Sequence, residues 1–434
     1  MQSPTGIWQA ITPGLRTPPP LREPIASEVV VIGAGFTGLS TALHLVSAGI
    51  QTALLEAEAP GFGASGRNAG WMQPDWWMKQ PEDIIVTFGA ELAARLTQWL
   101  ASGPRLLEDW VTRFGMSVGL SRSGVILATS RPRRADALAE LAPTWRGLGL
   151  AMDYVDAREL HKHVATDRYC GGVLVRDGAT VNPLALSREL ARVCLELGVQ
   201  LFAHSPVVEI RRIDQRWQVR TPSGQVSARR LVVATDAYTK ALWPALTRSL
   251  VNWRLAVVAS EPYPALRELL PTNRPFGDLA MDNMFTLRGA AGGASVSDAA
   301  DHLVTSTFAP VRRGMFPAQV AEPFMRKFRR VFPHHPPPIW RYLHYGEVGL
   351  SRNMMPRLCS IGEQAWTAYG YSGNGVNSSL LMGGELARLA AGSAAHECVF
   401  PLTQLEPLSL RNTIGWGLNY AHAPLARSLV SRIA

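Results

Sequence analysis

At 434 residues, almost half of them hydrophobic, the chain can bury two substantial cores and is too apolar to be a disordered polymer. No apolar run reaches the roughly 18 to 20 residues that a membrane-spanning helix needs, and the four cysteines lack metal-ligand spacing, which argues against a span and against a structural metal centre. The formal charge of +9 is spread over doublets such as Arg133-Arg134, Arg211-Arg212 and Arg329-Arg330. Such doublets belong to solvated faces rather than to a nucleic-acid track.

The first 27 residues carry Pro13 and the triplet Pro18-Pro19-Pro20 without an apolar signal core. They are expected to form an extended surface arm (residues 1–27), and the chain is expected to be cytoplasmic. The stretch from Glu28 to Glu56 then organises everything after it. A β-branched run, Val29-Val30-Val31-Ile32, enters Gly33-Ala34-Gly35-Phe36-Thr37-Gly38, a helix with apolar Leu39, Leu43 and Val46 follows, and Ala53-Leu54-Leu55 ends at Glu56. Strand, glycine turn, helix, strand and terminal carboxylate together make a dinucleotide-binding βαβ unit. Gly33 makes the turn, Gly35 lets the backbone approach a pyrophosphate, and Gly38 lets the helix lie close to the sheet. Glu56 follows 23 positions after Gly33, where it can accept from ribose hydroxyls.

The next loop, Gly63-Ala64-Ser65-Gly66-Arg67-Asn68-Ala69-Gly70, is dense in small residues, and Ser65, Arg67 and Asn68 can offer polar contacts. Directly after a nucleotide-binding unit, such a loop reads as a ligand contact before it reads as turn chemistry alone.

The two glycine segments together resemble the opening of the D-amino-acid-oxidase superfamily of FAD-dependent amine oxidoreductases, and the Ser65-Gly66-Arg67-Asn68 form is similar to its gamma-glutamylputrescine oxidoreductase group. The resemblance implies an α/β fold. A Rossmann-like FAD-binding domain of the GR2 type (residues 28–80, 171–240 and 341–434) would carry an inserted α+β substrate domain (residues 81–170 and 241–340) on a mixed, largely antiparallel sheet. It implies non-covalent FAD, since no cysteine lies near Glu347. The cofactor-binding set would be Gly33, Gly35, Phe36, Thr37, Gly38, Glu56, Ser65, Gly66, Arg67, Asn68, Val207, Val208, Ala234, Gly373, Asn374, Gly375 and Val376.

Amphipathic helices are expected around Leu92, Leu96 and Leu100, around Leu107 and Trp110, and around Leu186, Leu190, Val193 and Leu197. Trp71, Trp76 and Trp77 could line a substrate channel or pack at a domain junction. Trp217 to Arg220 and the Pro222-Ser223-Gly224 turn read as a hairpin, and Arg230 to Val233 as an apolar strand. Asp236 follows that strand where relatives often have Asn. Val251 to Ser260, Met284 to Arg288 and His302 to Thr307 read as antiparallel strands. Arg288 is expected to make a structural ion pair. His334-His335 has no further spaced partner, so no metal site is expected.

Near the C-terminus, Tyr345 and the run Tyr371-Ser372-Gly373-Asn374-Gly375-Val376-Asn377 return to the cofactor. The backbone at this helix start can stabilise negative charge developing on a flavin. Tyr345, Tyr371 and Asn374 are the candidates for flanking the ring. Sarcosine oxidases of the resembled family place His and Lys at the positions of Asn374 and Asn377, and the departure favours a longer amine over a compact amino acid held by its α-carboxylate.

The expected activity is oxidation of the C–N bond of a primary or secondary amine, gamma-glutamylputrescine-like or otherwise elongated. Hydride passes to flavin N5, the imine hydrolyses, and O2 or another acceptor reoxidises the flavin. Alternatives are a D-amino acid, glycine or sarcosine-type oxidase or dehydrogenase, and a flavin-dependent monooxygenase. An NAD-dependent dehydrogenase would not explain the C-terminal return. A non-catalytic binding protein has only the positive charge in its favour. The expected partners are a small-molecule amine and an electron acceptor, without nucleic acid or a membrane span; the oligomeric state is open.

Overall fold

The computed structural model describes residues 6–14, 16–76, 79–279, 285–290, 301–307, 315–409 and 411–420. Trp77 and Met284 lie outside the described residues. Two large sheets organise the α/β fold.

The first sheet has nine strands, with Leu402–Thr403, Arg357–Gly362, Ala365–Tyr369, Gln225–Val233, Pro24–Ile32, Thr52–Leu55 and Gln200–Phe202 in spatial order. Pro24–Ile32 is parallel to both of its neighbours, with Val30 opposite Leu231 on one side and Ala53 on the other. Its last four residues, Val29 to Ile32, are buried, as a strand covered on both faces requires. The expected hairpin forms: Arg216–Arg220 turns back antiparallel onto Gln225–Val233.

Two helices lie together on this sheet. Phe36–Ser47 follows the first strand and Gly375–Ala391 comes from the far end of the chain. A Cβ on Gly383 would sit 2.4 Å from the Ser40 side chain, so glycine lets the two backbones come close. Ser40 Oγ then donates to the Leu380 carbonyl at 2.6 Å. This contact brings the starts of both helices to one place.

The second sheet has eight strands, in the order Trp340–Leu350, Val251–Pro262, His302–Thr307, Phe285–Ala290, Phe276–Asp278, Val125–Thr129, Gly171–Val175 and Met152–Asp156. Every pairing is antiparallel except Phe276–Asp278 with Val125–Thr129. The helix Pro317–Val331 sets Phe324 and Phe328 into the apolar cluster on this sheet, where Phe324 stacks on Phe285 with ring centres 4.8 Å apart.

Four expectations change. Gly171–Val175 and Trp340–Leu350, expected with the nucleotide-binding segments, are strands of the second sheet. Strand composition does not say which sheet a strand joins; pairing with distant residues does. Residues 6–14 depart from the expected extended surface arm, because Ile7–Ile11 is helical and Trp8 is 0% exposed. Arg288 makes backbone contacts where an ion pair was expected: its Nη1 donates to the carbonyls of Ala69, Gly70 and Val181 at 2.8 to 3.0 Å. Leu197 caps the helix Pro183–Glu196 and is 42% exposed, so it drops out of that helix's buried stripe.

Candidate active site

The glycine turn is shaped by backbone geometry that only glycine meets cheaply. Gly33 has a φ of 102°, and a Cβ there would come within 2.8 Å of the Ala234 carbonyl oxygen. Gly35 caps the helix Phe36–Ser47 without a side chain of its own. Ser65, from the following loop, supplies the missing acceptor: its Oγ takes the Phe36 N–H at 2.9 Å. Glu56 braces the other side of the turn, with one carboxylate oxygen accepting from Ala34 N at 2.7 Å and the other from Glu58 N at 3.0 Å. Each oxygen keeps a lone pair for a further donor. Burial raises the Glu56 pKa.

The loop from Gly63 to Gly70 holds itself together. Asn68 Nδ2 donates to the carbonyls of Ala64 and Ser65, and its Oδ1 accepts from Gly70 N at 2.7 Å. Arg67 lies over the Phe62 ring at 4.2 Å and donates to the Tyr345 carbonyl at 3.3 Å. A Cβ on Gly66 would meet the Gly61 carbonyl oxygen at 2.2 Å. Ser65 and Asn68 line the central cavity, whereas Gly66 and Arg67 support the loop from behind.

Tyr371 closes the circle. Its hydroxyl lies 2.6 Å from Thr37 Oγ1 in the first helix, and burial pushes the phenol pKa up, so it is a neutral hydrogen-bonding group. Asn374 caps the helix Gly375–Ala391, and its Nδ2 donates to the Asp75 carbonyl at 2.6 Å. The Asn374 side chain thus ties down a loop. Tyr345 is a correction: it does not line the cavity. It stands opposite Ala256 in the second sheet and packs against the apolar cluster of Ala256, Val258 and Val320.

One cavity of about 1470 Å³ joins these parts. It runs from Glu56, Val207 and Val208 past Gly33, Gly35 and Ala234 to Tyr371, Gly373, Gly375 and Val376. Gly38 stands outside it as a packing residue: a Cβ there would fall 1.9 Å from the Gly33 carbonyl oxygen. A carboxylate at one end, bare backbone in the middle and a helix start at the other fit an extended dinucleotide.

The family profile described as "DAO: FAD dependent oxidoreductase" matches residues 28–389. The chain belongs to the DAO family of FAD-dependent oxidoreductases. Its curated relatives include the gamma-glutamylputrescine oxidoreductase of Escherichia coli, 29% identical over 387 residues and covering 86% of each chain. The glycine oxidase of Geobacillus kaustophilus is 24% identical over 248 residues, 55% of this chain and 63% of that one. The crystal structure of that glycine oxidase superposes with a TM-score of 0.67 at 20% identity, covering 85% of this chain and 95% of the other. L-alpha-glycerophosphate oxidase from Mycoplasma pneumoniae, solved with FAD bound, superposes with a TM-score of 0.65 at 13% identity, over 87% and 99%.

In this DAO-family chain the residues that would hold FAD are those just described. Glu56 would take the adenosine end, the amides at the start of Phe36–Ser47 the pyrophosphate, and the Gly373 to Val376 turn the ring. Trp71, Trp76, Leu138, Trp145 and Trp253 also line this cavity and make up its aromatic lobe. Trp76 also packs inward, donating from Nε1 to Thr97 Oγ1 at 2.9 Å, so it both lines a channel and packs at a junction.

Five carboxylates that line this cavity, Glu58, Asp75, Glu209, Asp236 and Asp278, were not singled out from sequence as site residues. Asp236 accepts from Gly370 N at 2.7 Å, and burial raises its pKa to about 6. Asp75 also lines the cavity. Among the described residues no cluster of His, Cys, Asp and Glu could hold a metal ion, and no helix is long and apolar enough to cross a membrane.

Proposed function

We propose that this flavoprotein oxidises the C–N bond of an elongated primary or secondary amine. FAD, when bound, would supply the two-electron acceptor for the hydride on the carbon beside nitrogen. The protein binds the amine in the aromatic lobe, turns its reacting carbon toward the Gly373 to Val376 end and excludes water. The imine leaves and hydrolyses to aldehyde and amine or ammonia. The reduced protein passes its electrons to O2 or to another acceptor.

The observation that carries this reading is where Asn374 and Asn377 spend their side chains. Asn377 is fully buried and donates to the Leu100 carbonyl at 2.9 Å, and Asn374 donates to the Asp75 carbonyl. Neither offers a cationic grip to an α-carboxylate beside the ring. The cavity wall includes Trp71, Leu138, Trp145 and Trp253, apolar side chains against which an extended chain can lie. The likeness to gamma-glutamylputrescine oxidoreductase agrees with this.

The test is anaerobic reduction of the purified protein with gamma-glutamylputrescine, other polyamine derivatives, aminophosphonates, sarcosine, glycine and D-amino acids. Elongated amines are expected to bleach the flavin bands fastest. Faster bleaching by glycine, sarcosine or a D-amino acid sinks the reading in favour of an amino-acid oxidase. Oxygen uptake during turnover separates oxidase from dehydrogenase. FAD is read as dissociable, because Cys359 is buried in the first sheet against Thr403 and Gln404. Acid precipitation is therefore expected to leave the flavin in the supernatant.

A further inference from the structure

Among the described residues, Asp75 is the one buried carboxylate of this cavity with an oxygen that no protein group answers. The residue is 8% exposed and its Oδ1 has no hydrogen-bond partner. By contrast, Glu56 and Asp236 both accept backbone N–H groups, and Asp278 is paired with Lys327 at 2.6 Å and with the Tyr169 hydroxyl at 3.0 Å. Asp75 is also held in place. Its carbonyl takes the Asn374 amide, which fixes its loop against the start of the helix Gly375–Ala391. Trp71, Gln73 and Trp76 line the same stretch of wall.

A carboxylate removed from water without a partner is costly, and a fixed one is disposed to receive a cation. A substrate ammonium brings several N–H donors and the compensating charge.

We infer that Asp75 is the ammonium-binding residue of the substrate lobe and that the site selects cationic amines over neutral isosteres of the same shape. This rests on the amine reading proposed above and adds the group that recognises the amine. Asn374 is then a positioning residue that sets Asp75 through its backbone. In this arrangement the amine nitrogen is held close to the Gly373 to Val376 turn, and the ammonium gives one proton to the Asp75 carboxylate before hydride leaves the adjacent carbon.

The test uses binding without turnover, so it does not depend on which amine is oxidised. The FAD-loaded protein is titrated with n-butylammonium and with its neutral isostere 1-butanol, and perturbation of the flavin spectrum is followed. The wild type is expected to bind the cation about 10-fold or more tighter, as a charge-assisted contact in a buried site would give. Asp75→Asn is expected to abolish that preference, and Asp75→Glu to keep part of it. Equal binding of the two probes by the wild type overturns the inference, and this arm stands even if a variant fails to fold. A preference that survives in Asp75→Asn overturns it too. If no amine reduces the flavin but the charge preference is present and lost in Asp75→Asn, the inference holds and the reaction assignment fails.

Discussion

The Tyr371 hydroxyl and Thr37 Oγ1 lie 2.6 Å apart across 334 residues of chain, and this contact locks the two glycine segments of the cavity to each other. Thr37 is in the first turn of the helix that starts at the glycine turn, and Tyr371 precedes the turn that starts the C-terminal helix. Removing either hydroxyl leaves the other buried without its partner. Tyr371→Phe is expected to cost about 1 to 2 kcal/mol of stability and to weaken FAD retention. Thr37→Val should do the same, and the double variant should cost clearly less than the sum. Additive effects in thermal denaturation would show that the two hydroxyls do not act as a pair.

Gly38 tests whether helix-to-turn approach, rather than ligand contact, makes the motif selective. Its missing Cβ would sit 1.9 Å from a backbone oxygen that cannot rotate away. Gly38→Ala is expected to displace the turn and yield protein with little bound flavin, read as visible absorbance per mole of chain. Gly49→Ala is the control. Gly49 has a positive φ of 77°, but nothing lies within 4 Å of its Cβ position, so the cost should stay at about 1 to 2 kcal/mol with flavin retained. Full flavin content in Gly38→Ala would refute the packing argument.

Much of this was legible in the sequence because the nucleotide-binding unit is local. Val29 to Glu56 carries its strand, turn and helix signals within one stretch, and the glycines report on geometry that no other residue tolerates. What escaped was set by distant pairing. Tyr345 has the residue type of a ring neighbour, but a strand alternates its faces, and Val348, three positions on, is the residue that lines the cavity. Asp75 has no spacing signal at all. It is an isolated carboxylate in a loop, and only the fold shows that it is buried.

The N-terminal helix offers a prediction that sequence could not frame. Trp8 is fully buried, donates from Nε1 to the Asn68 carbonyl at 2.8 Å and lies under the Arg288 guanidinium. It therefore props the loop that caps the helix Phe36–Ser47 through Ser65. Trp8→Ala is expected to cost on the order of 3 to 5 kcal/mol. The melting temperature should drop and FAD should dissociate more readily, measured by flavin fluorescence on dilution. A variant that melts and holds flavin like the wild type would show that the segment is dispensable.

Asp236 gives a pH dependence whose sign can be worked out. The carboxylate is enclosed by backbone: a Cβ on Gly349 would come within 2.7 Å of it, and Gly370 N donates to it. Burial raises its pKa to about 6 from an ordinary 3.8, so the folded chain holds the proton more tightly than the unfolded chain. Its contribution to stability is therefore most favourable below the unfolded pKa and is lost as pH rises through the folded one. A rise of about two units corresponds to about 3 kcal/mol at most between those limits. Asp236→Asn keeps an acceptor for Gly370 N and removes the titration, whatever constant cost the amide adds. The melting temperature of the wild type minus that of Asp236→Asn should fall steadily from pH 4 to pH 7. Groups titrating elsewhere cancel in the difference. Parallel curves over that window would mean that Asp236 stays ionised when folded and that its neighbours' N–H groups fully offset its burial.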